Sequence, residues 1–125
     1  VLAINVGRTD TDRRLVDALS ATLLTVYPSV HVIDVPNTFN SILVATVSPT
    51  SQDNLTENHN ILPSNTDPLL QTMLQQTIKN LVQTTPSNTI FTDDRAPVEQ
   101  LTDSILLRYL LNSKSVSFPS TNPDL

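Results

Sequence analysis

Cysteine and tryptophan are absent from the 125 residues of this chain, and glycine occurs only once, at Gly7. The lack of cysteine excludes disulfide bonds, thiolate catalysis and zinc sites that use cysteine ligands. A single glycine also excludes the glycine-rich turn on which many proteins bind a nucleotide pyrophosphate. No apolar run reaches the roughly 18 residues of a membrane-spanning helix, and the first residues do not resemble a signal peptide. We therefore expect no membrane segment in this chain.

Charged side chains make up only 15% of the chain, and acidic residues outnumber basic ones, which gives a net charge of −5 and a pI near 4.6. The 7 basic residues are spread along the sequence and do not form the basic patch that binds phosphates, so we expect no nucleic-acid partner. The two histidines, His31 and His59, lie in different contexts, and we expect no metal site that needs both. An acidic surface suits cationic partners.

The first third of the chain predicts strands that flank one helix. Residues 1–6 form a nearly continuous apolar run, which is typical of a strand buried on both faces. Apolar residues at helical spacing predict a helix over 12–27, and strands follow at 30–35 and 41–47. A helical crossover predicts a parallel connection, whereas the tight turn at 36–40 makes the last two strands antiparallel. The sequence therefore predicts an α/β fold with a mixed sheet.

The rest of the chain predicts helices joined by polar loops. Residues 48–65 carry many polar side chains and prolines and are expected to form a loop. Asp67 or Thr66 caps the next helix, which Pro68 opens and whose apolar stripe should be buried. The predicted helices span residues 67–83 and 97–111, and a fourth strand is predicted between them at 89–91. Residues 112–125 are expected to form a loose tail. We expect one domain over residues 1–111.

The densest polar chemistry in the sequence is the string Thr92-Asp93-Asp94-Arg95-Ala96-Pro97-Val98-Glu99. One interpretation is structural: an aspartate ahead of Pro97 caps the following helix by accepting hydrogen bonds from its free N–H groups. The other interpretation is functional: the carboxylates form the rim of a binding site. Aspartate pairs are common at turns, so composition alone does not decide between a cap and a rim.

Two separated segments resemble one known family in the expected order along the chain. The first segment starts with Val1-Leu2-Ala3-Ile4-Asn5-Val6-Gly7-Arg8. It also includes Tyr27-Pro28 and Asn40-Ser41-Ile42-Leu43-Val44-Ala45. The second segment is Phe91-Thr92-Asp93-Asp94-Arg95-Ala96-Pro97-Val98-Glu99. Over roughly residues 1–111 they resemble the C-terminal half of a spermidine-synthase-like domain, a polyamine aminopropyltransferase. The second segment is similar to the TDDxAPVE-type motif of a branch whose members are sometimes fused to membrane segments.

The resemblance implies a Rossmann-like methyltransferase-type fold, in which residues 1–6, 30–35 and 41–47 are the fifth, sixth and seventh strands. In that family the donor, decarboxylated S-adenosylmethionine, lies on a glycine-rich turn and an acidic residue that both belong to earlier strands. The catalytic aspartate lies on a loop after the fourth strand. None of these parts is in the sequence. No catalytic, cofactor-binding or metal-binding residue therefore carries over, and no cofactor is expected for this chain alone.

The resulting hypothesis is a fragment of an aminopropyltransferase domain that is inactive by itself, from a cytoplasmic or membrane-anchored parent. A chain that starts at Val1, within a strand-like run and without methionine, favours a fragment. In the parent, an aminopropyl group is transferred to a polyamine, and carboxylates are natural groups for positioning a diamine. The candidates for a substrate rim are Asp93, Asp94, Glu99 and, after the first strand, Arg8 and Asp10, although the last two also suit a solvated turn. The alternative hypothesis is a non-catalytic interaction or regulatory domain with a methyltransferase-like half-fold.

The resemblance also predicts self-association. In the family arrangement the strand at 1–6 pairs with the seventh strand on one side and with a fourth strand on the other. This sequence lacks the fourth strand, so the N–H and C=O groups of one edge are unpaired and can recruit another strand. We therefore expect a homo-oligomer that forms through the exposed strand edge, with polyamines as possible small-molecule partners.

Overall fold

A computed structural model describes residues 1–85 and 87–113. These residues form four strands and four helices in the order β1 (Leu2–Gly7), α1 (Arg14–Leu24), β2 (Ser29–Asp34), β3 (Asn40–Thr46), α2 (Gln52–Asn60), α3 (Pro68–Lys79), β4 (Leu81–Val82) and α4 (Val98–Ser113). Within residues 1–85 and 87–113, no helix combines the length and the apolar character needed to cross a membrane. The first three strands lie within one residue of their predicted positions.

The sheet has the strand order β1-β3-β2-β4, and each neighbouring pair is antiparallel. The predicted mixed sheet is therefore wrong for the described strands, which contain no parallel pair. Strands β1 and β2 do run in the same direction, as the helical crossover predicts. However, the tight turn that contains Asn37, with φ of 58°, returns the chain as β3. Strand β3 lies between β1 and β2, so each of them bonds to an antiparallel neighbour.

The core lies between one face of the sheet and helices α1 and α4. Side-chain burial alternates along β3, in which Ser41, Leu43 and Ala45 are buried and the residues between them are half-buried. Leu43 lies opposite Ile4 on one side and Val32 on the other, so these three side chains share a face of the sheet. The buried apolar cluster consists of Val6, Leu15, Val16, Val32, Leu43 and Ile105.

Helix α1 is shorter than the predicted 12–27. It begins at Arg14 because the preceding residues form a turn in which the Asp12 N–H donates to Thr9 Oγ1 at 2.9 Å. It ends at Leu24, and Val26, which lies within the predicted helix range, is exposed. Pro28 has no N–H to donate and restricts the backbone of the residue before it, which favours a break before β2.

Helix α3 begins as predicted, with Pro68 in its first turn and the Asp67 carboxylate accepting from the Leu69 N–H at 2.7 Å. It ends at Lys79 rather than at residue 83. Residues 81 and 82 instead form β4, in which Leu81 and Val82 pair with β2. By pairing with the free edge of β2, residues 81 and 82 satisfy their backbone N–H and C=O groups. In another helical turn, the last C=O groups would have no partner within the helix. The apolar stripe of α3 is not buried as predicted, since Leu70 and Met73 are exposed.

The segment 48–65, predicted as a loop, contains helix α2. This helix begins with a capping box, in which Ser51 Oγ accepts from the Asn54 N–H and Asn54 Oδ1 accepts from the Ser51 N–H. Its sequence is too polar to show helical hydrophobic periodicity.

The possible strand at 89–91 is absent from the described residues, where residues 92 and 95 bridge to each other instead. Helix α4 extends to Ser113, two residues past the prediction, and residues 114–125 of the expected tail lie outside the described residues.

Candidate functional site

The main charged cluster lies where β1 and β2 end and β3 begins. Asp34 at the end of β2 accepts two hydrogen bonds from the Arg13 guanidinium, at 2.8 and 2.9 Å. Ser41 at the start of β3 donates to Asp34 Oδ1 at 2.6 Å. Arg8 Nε lies 3.3 Å from Asp34 Oδ1 and donates to Ser41 Oγ at 3.1 Å. The strand ends therefore share one hydrogen-bonded network, which we call the Arg8–Asp34 cluster.

Asp34 is held in its ionised form by this cluster. Burial alone raises the pKa of Asp34, but hydrogen bonds from Arg13 and Ser41, with the charges of Arg13 and Arg8, outweigh burial and leave the pKa below its ordinary value. Only 8% of Arg8 is exposed, so its guanidinium needs the carboxylate to offset the loss of water. These contacts join the ends of three strands and fix the backbone after β1.

A second ion pair lies beside the first and connects α1 to α4. Arg14 donates to both carboxylate oxygens of Asp12, at 2.9 and 2.7 Å, and also to Ser104 Oγ at 2.9 Å. The side-chain hydrogen bond from Arg14 lowers the pKa of Asp12 despite the opposing effect of burial, and the charge of Arg108 acts in the same direction. Through Ser104, this pair holds α4 against the start of α1.

The structure brings together two of the five predicted site residues. Arg8 NH1 lies 3.3 Å from Asp10 Oδ1, in an ion pair at the carboxyl end of β1. Asp10 is exposed, whereas Arg8 is buried and already bound to Asp34 and Ser41. Arg8 is thus committed to the protein's own groups, and only Asp10 presents a charge to solvent at this point.

The other three predicted residues lie elsewhere. Asp93 and Asp94 are the two central residues of a tight turn closed by reciprocal backbone hydrogen bonds between Thr92 and Arg95, at 3.1 and 2.9 Å. Both aspartates are exposed, and so is Glu99 in the first turn of α4. Within the described ranges, neither aspartate accepts a hydrogen bond from α4, which begins at Val98. The helix-capping interpretation of this pair therefore has no contact to support it.

The two groups of predicted residues are separated along α1. The Phe91 N–H, just before the turn, donates to Thr22 Oγ1 at 2.8 Å, near the end of α1. The Arg8–Asp34 cluster instead lies at the start of α1, next to Arg14. Thr22 and Arg14 are eight residues apart, which is about 12 Å along a helix. The predicted rim residues therefore do not form one site: Arg8 and Asp10 lie at the strand ends, Asp93 and Asp94 lie in the turn of residues 92–95, and Glu99 lies in the first turn of α4.

An aromatic groove next to Arg8 was not predicted from the sequence. The rings of Phe39 and Tyr109 meet edge to face, with centroids 5.1 Å apart. They line a cavity of about 490 Å³ together with Gly7, Arg8 and Leu106. Phe39 is an isolated aromatic residue in an otherwise polar turn, in a chain with only 3 phenylalanines, and that isolation was the one available signal.

Neither histidine takes part in these clusters. His31 Nε2 lies 2.8 Å from Thr50 Oγ1, and His59 lies in the last turn of α2. In the part of the chain that the structure describes, no three side chains of the types His, Asp, Glu or Cys come together in a way that would hold a metal ion. The chemistry available at the strand ends is therefore that of carboxylates, guanidinium groups and hydroxyls.

No protein-family model, curated protein or solved structure matches this chain. The resemblance to spermidine-synthase-like domains thus depends on the two segments quoted above.

Proposed function

We propose that this chain is the C-terminal part of a spermidine-synthase-like aminopropyltransferase domain and is not active by itself. In the complete parent, the nitrogen of a deprotonated polyamine attacks the aminopropyl carbon of decarboxylated S-adenosylmethionine. A C–N bond forms, the C–S bond breaks, and methylthioadenosine leaves. The contribution of the present residues is to complete the sheet and to supply part of the carboxylate surface around the amine.

The observation that carries the proposal is the position of β3. The resemblance makes β1, β2 and β3 the fifth, sixth and seventh strands, with the seventh paired to the fifth. In the structure β3 pairs with β1 over Leu2 to Gly7 and with β2 over Ser29 to Asp34, and it is antiparallel to both. The outer edge of β1 has no partner strand within the described residues. That edge is where the family arrangement places the fourth strand.

The charged cluster fits a supporting role rather than a catalytic one. Arg8, Arg13 and Asp34 satisfy one another, so the Asp34 carboxylate is not available as a base. A base that holds an amine deprotonated has to be accessible to it. Asp10 and the turn that contains Asp93 and Asp94 remain accessible, so they are the residues of this chain that we propose for the amine rim of the parent.

An interaction domain is the second candidate, and one observation favours it. Helix α4 buries only Ile105, while Leu106, Leu107, Leu110 and Leu111 on the same helix are exposed. An exposed apolar helix surface and an unpaired strand edge are each typical of a protein interface. The two candidates differ in what covers this surface, which is the rest of the domain in the first case and a separate partner in the second.

Calorimetry tests the first candidate directly. We expect no saturable binding of decarboxylated S-adenosylmethionine, S-adenosylmethionine or methylthioadenosine to the isolated chain, because the sequence has no glycine-rich turn to hold the nucleoside part. Circular dichroism on the same sample verifies that the chain is folded. Micromolar affinity for any of the three compounds would contradict the proposal that the donor site belongs to another part of the domain.

A further inference from the structure

The aromatic groove next to Arg8 is not used by the proposed function, although it has the size and lining of a ligand site. Its volume of about 490 Å³ falls within the range of roughly 300–1,000 Å³ that is usual for small-molecule sites. Leu15 and Ile105 are its buried apolar lining residues, while Phe39 and Tyr109 are 49% and 42% exposed. The edge-to-face pair of rings is therefore open to solvent instead of packed in the core.

A smaller polar pocket adjoins the groove. Its volume is about 150 Å³, and Thr9 and Tyr109 line both cavities, so the two cavities are neighbours on the surface. The charged side chains that line the small pocket are Asp12 and Arg108. Ile105 and Arg108 are three residues apart on α4 and therefore lie on the same side of this helix. An apolar surface with charged groups at one end is complementary to an amphiphilic molecule.

The ion pairs around the two cavities carry an excess of positive charge. They connect four arginines with three aspartates, namely Arg8, Arg13, Arg14 and Arg108 with Asp10, Asp12 and Asp34. The other acidic side chains of α1 and α4 line neither cavity; they are Asp17, Glu99 and Asp103. The two cavities therefore favour an anionic head group over a cationic one.

Arg8 lines the groove itself, but its charge is already balanced. Its guanidinium lies 3.3 Å from carboxylate oxygens of both Asp34 and Asp10, and it donates to Ser41 Oγ at 3.1 Å. Arg8 is therefore part of the wall of the groove and is not the counter-charge of a ligand.

Arg108 is the accessible guanidinium beside the groove. Its Nη1 lies 4.0 Å from Asp12 Oδ2, which is too far for a hydrogen bond. Asp12 already accepts hydrogen bonds from Arg14 on both carboxylate oxygens, at 2.9 and 2.7 Å. The Arg108 side chain is 67% exposed. A guanidinium in this position can bind a carboxylate through two parallel N–H donors.

We propose that the groove and the adjoining pocket together bind a carboxylic acid with an apolar body. The carboxylate pairs with Arg108, and the body packs on the rings of Phe39 and Tyr109, which suit an aryl group. The inference does not rest on the proposed function, since the ligand is neither a nucleoside nor an amine.

The test is a titration of the full chain with 4-phenylbutanoate, followed by amide chemical shifts. We expect saturable shifts centred on Thr9, Phe39 and Tyr109. Arg108→Gln should weaken binding by about tenfold, because it replaces charge-assisted hydrogen bonds to the carboxylate with neutral ones. Arg95→Gln is the matched control: it removes an exposed guanidinium from the turn of residues 92–95 and should leave the affinity unchanged. Circular dichroism verifies that both variants are folded.

Two neutral or truncated probes separate the head group from the body. The amide 4-phenylbutanamide should bind the wild type about tenfold more weakly than the acid does, and should bind Arg108→Gln as well as it binds the wild type. Acetate carries the head group without the body and should give no saturable shifts in the groove. Phe39→Ala should weaken both the acid and the amide by about fivefold, because it removes one of the two rings.

Three results would overturn the inference. The first is equal affinity of the wild type for the acid and the amide, and the second is an equal loss of affinity in the Arg108 and Arg95 variants. The third is a loss of binding in step with dimer formation, followed by light scattering, which would assign the groove to a second copy of the chain. The nucleoside titration is a separate measurement, so its outcome neither supports nor contradicts this site.

Discussion

Replacing Asp34 with alanine should lower the free energy of unfolding by roughly 3 kcal/mol, since it removes the partly buried carboxylate partner of the buried Arg8 guanidinium and leaves only the exposed carboxylate of Asp10. The value is at the lower end of the range for breaking a buried ion pair because 24% of the Asp34 side chain is exposed. Arg13 loses two hydrogen bonds in the same variant, but it is exposed enough to turn toward water. Chemical denaturation followed by circular dichroism measures the change.

Two further variants separate this effect from a general loss of charge. Asp103→Ala removes an exposed aspartate from α4 and should change stability by no more than about 0.5 kcal/mol. Arg8→Met combined with Asp34→Ala should recover part of the loss, because the buried charge is then removed together with its partner. A loss below about 1 kcal/mol for Asp34→Ala alone would contradict a structural role for the cluster.

The pH dependence of the unfolding free energy gives a second measure of the ion pairs that Asp34 forms. The pKa of Asp34 lies below its ordinary value of 3.8, so the folded state binds fewer protons at this group than the unfolded state does. Its stabilisation is therefore complete above pH 3.8 and is lost as the pH falls through the folded pKa. The difference in unfolding free energy between the wild type and Asp34→Ala should narrow over that range. Asp17, whose pKa is raised, acts in the opposite direction but contributes equally to both proteins.

Asn5→Pro should convert a self-associating chain into a monomer. The Arg8 N–H donates to the Phe39 carbonyl at 2.7 Å, which continues the ladder between β1 and β3. Since N–H groups alternate in direction along a strand, that of Asn5 points to the open edge. A proline there removes a donor needed for pairing with a second copy and leaves the bonds to β3 in place.

The second copy is the occupant that we expect at this edge. An antiparallel pair of β1 strands about a two-fold axis satisfies the outward backbone groups of both copies. Helix α4 also carries exposed apolar side chains, including Leu106, which lines the same groove as Gly7 at the end of β1. A stable dimer buries on the order of 1,000 Å² or more in total.

Light scattering at micromolar concentration should give twice 13.7 kDa for the wild type and 13.7 kDa for Asn5→Pro. The control Asn5→Ala keeps the N–H and should remain dimeric. Circular dichroism and a thermal melt establish that the proline variant is folded. A wild-type monomer, or a folded proline variant that stays dimeric, would show that the β1 edge is not the interface.

Local sequence patterns predicted the elements whose signals are strongest. The apolar run at 1–6 and the alternation in 41–47 gave β1 and β3 within one residue, and Asp67 with Pro68 gave the start of α3. The polar helix α2 could not be found from hydrophobic periodicity, since its signal is the pair of hydrogen bonds between Ser51 and Asn54. The all-antiparallel pairing depends on the insertion of β3 between β1 and β2, which is a long-range choice that no local pattern encodes.

The candidate site was less predictable than the fold. Arg8 and Asp10 were selected because they follow a strand, and the structure does pair them. Asp34 and Ser41 were missed, because their proximity arises from the register between β2 and β3.

The coding sequence upstream of Val1, read together with the intact mass of the natural protein, tests the central claim most directly. The proposal of a partial aminopropyltransferase domain predicts an upstream strand followed by a glycine-rich turn, an acidic residue at the end of the next strand, and an aspartate loop after the fourth strand. It also predicts an intact mass well above 13.7 kDa. A natural start at or next to Val1, with an intact mass near 13.7 kDa, would contradict the proposal and favour the interaction domain.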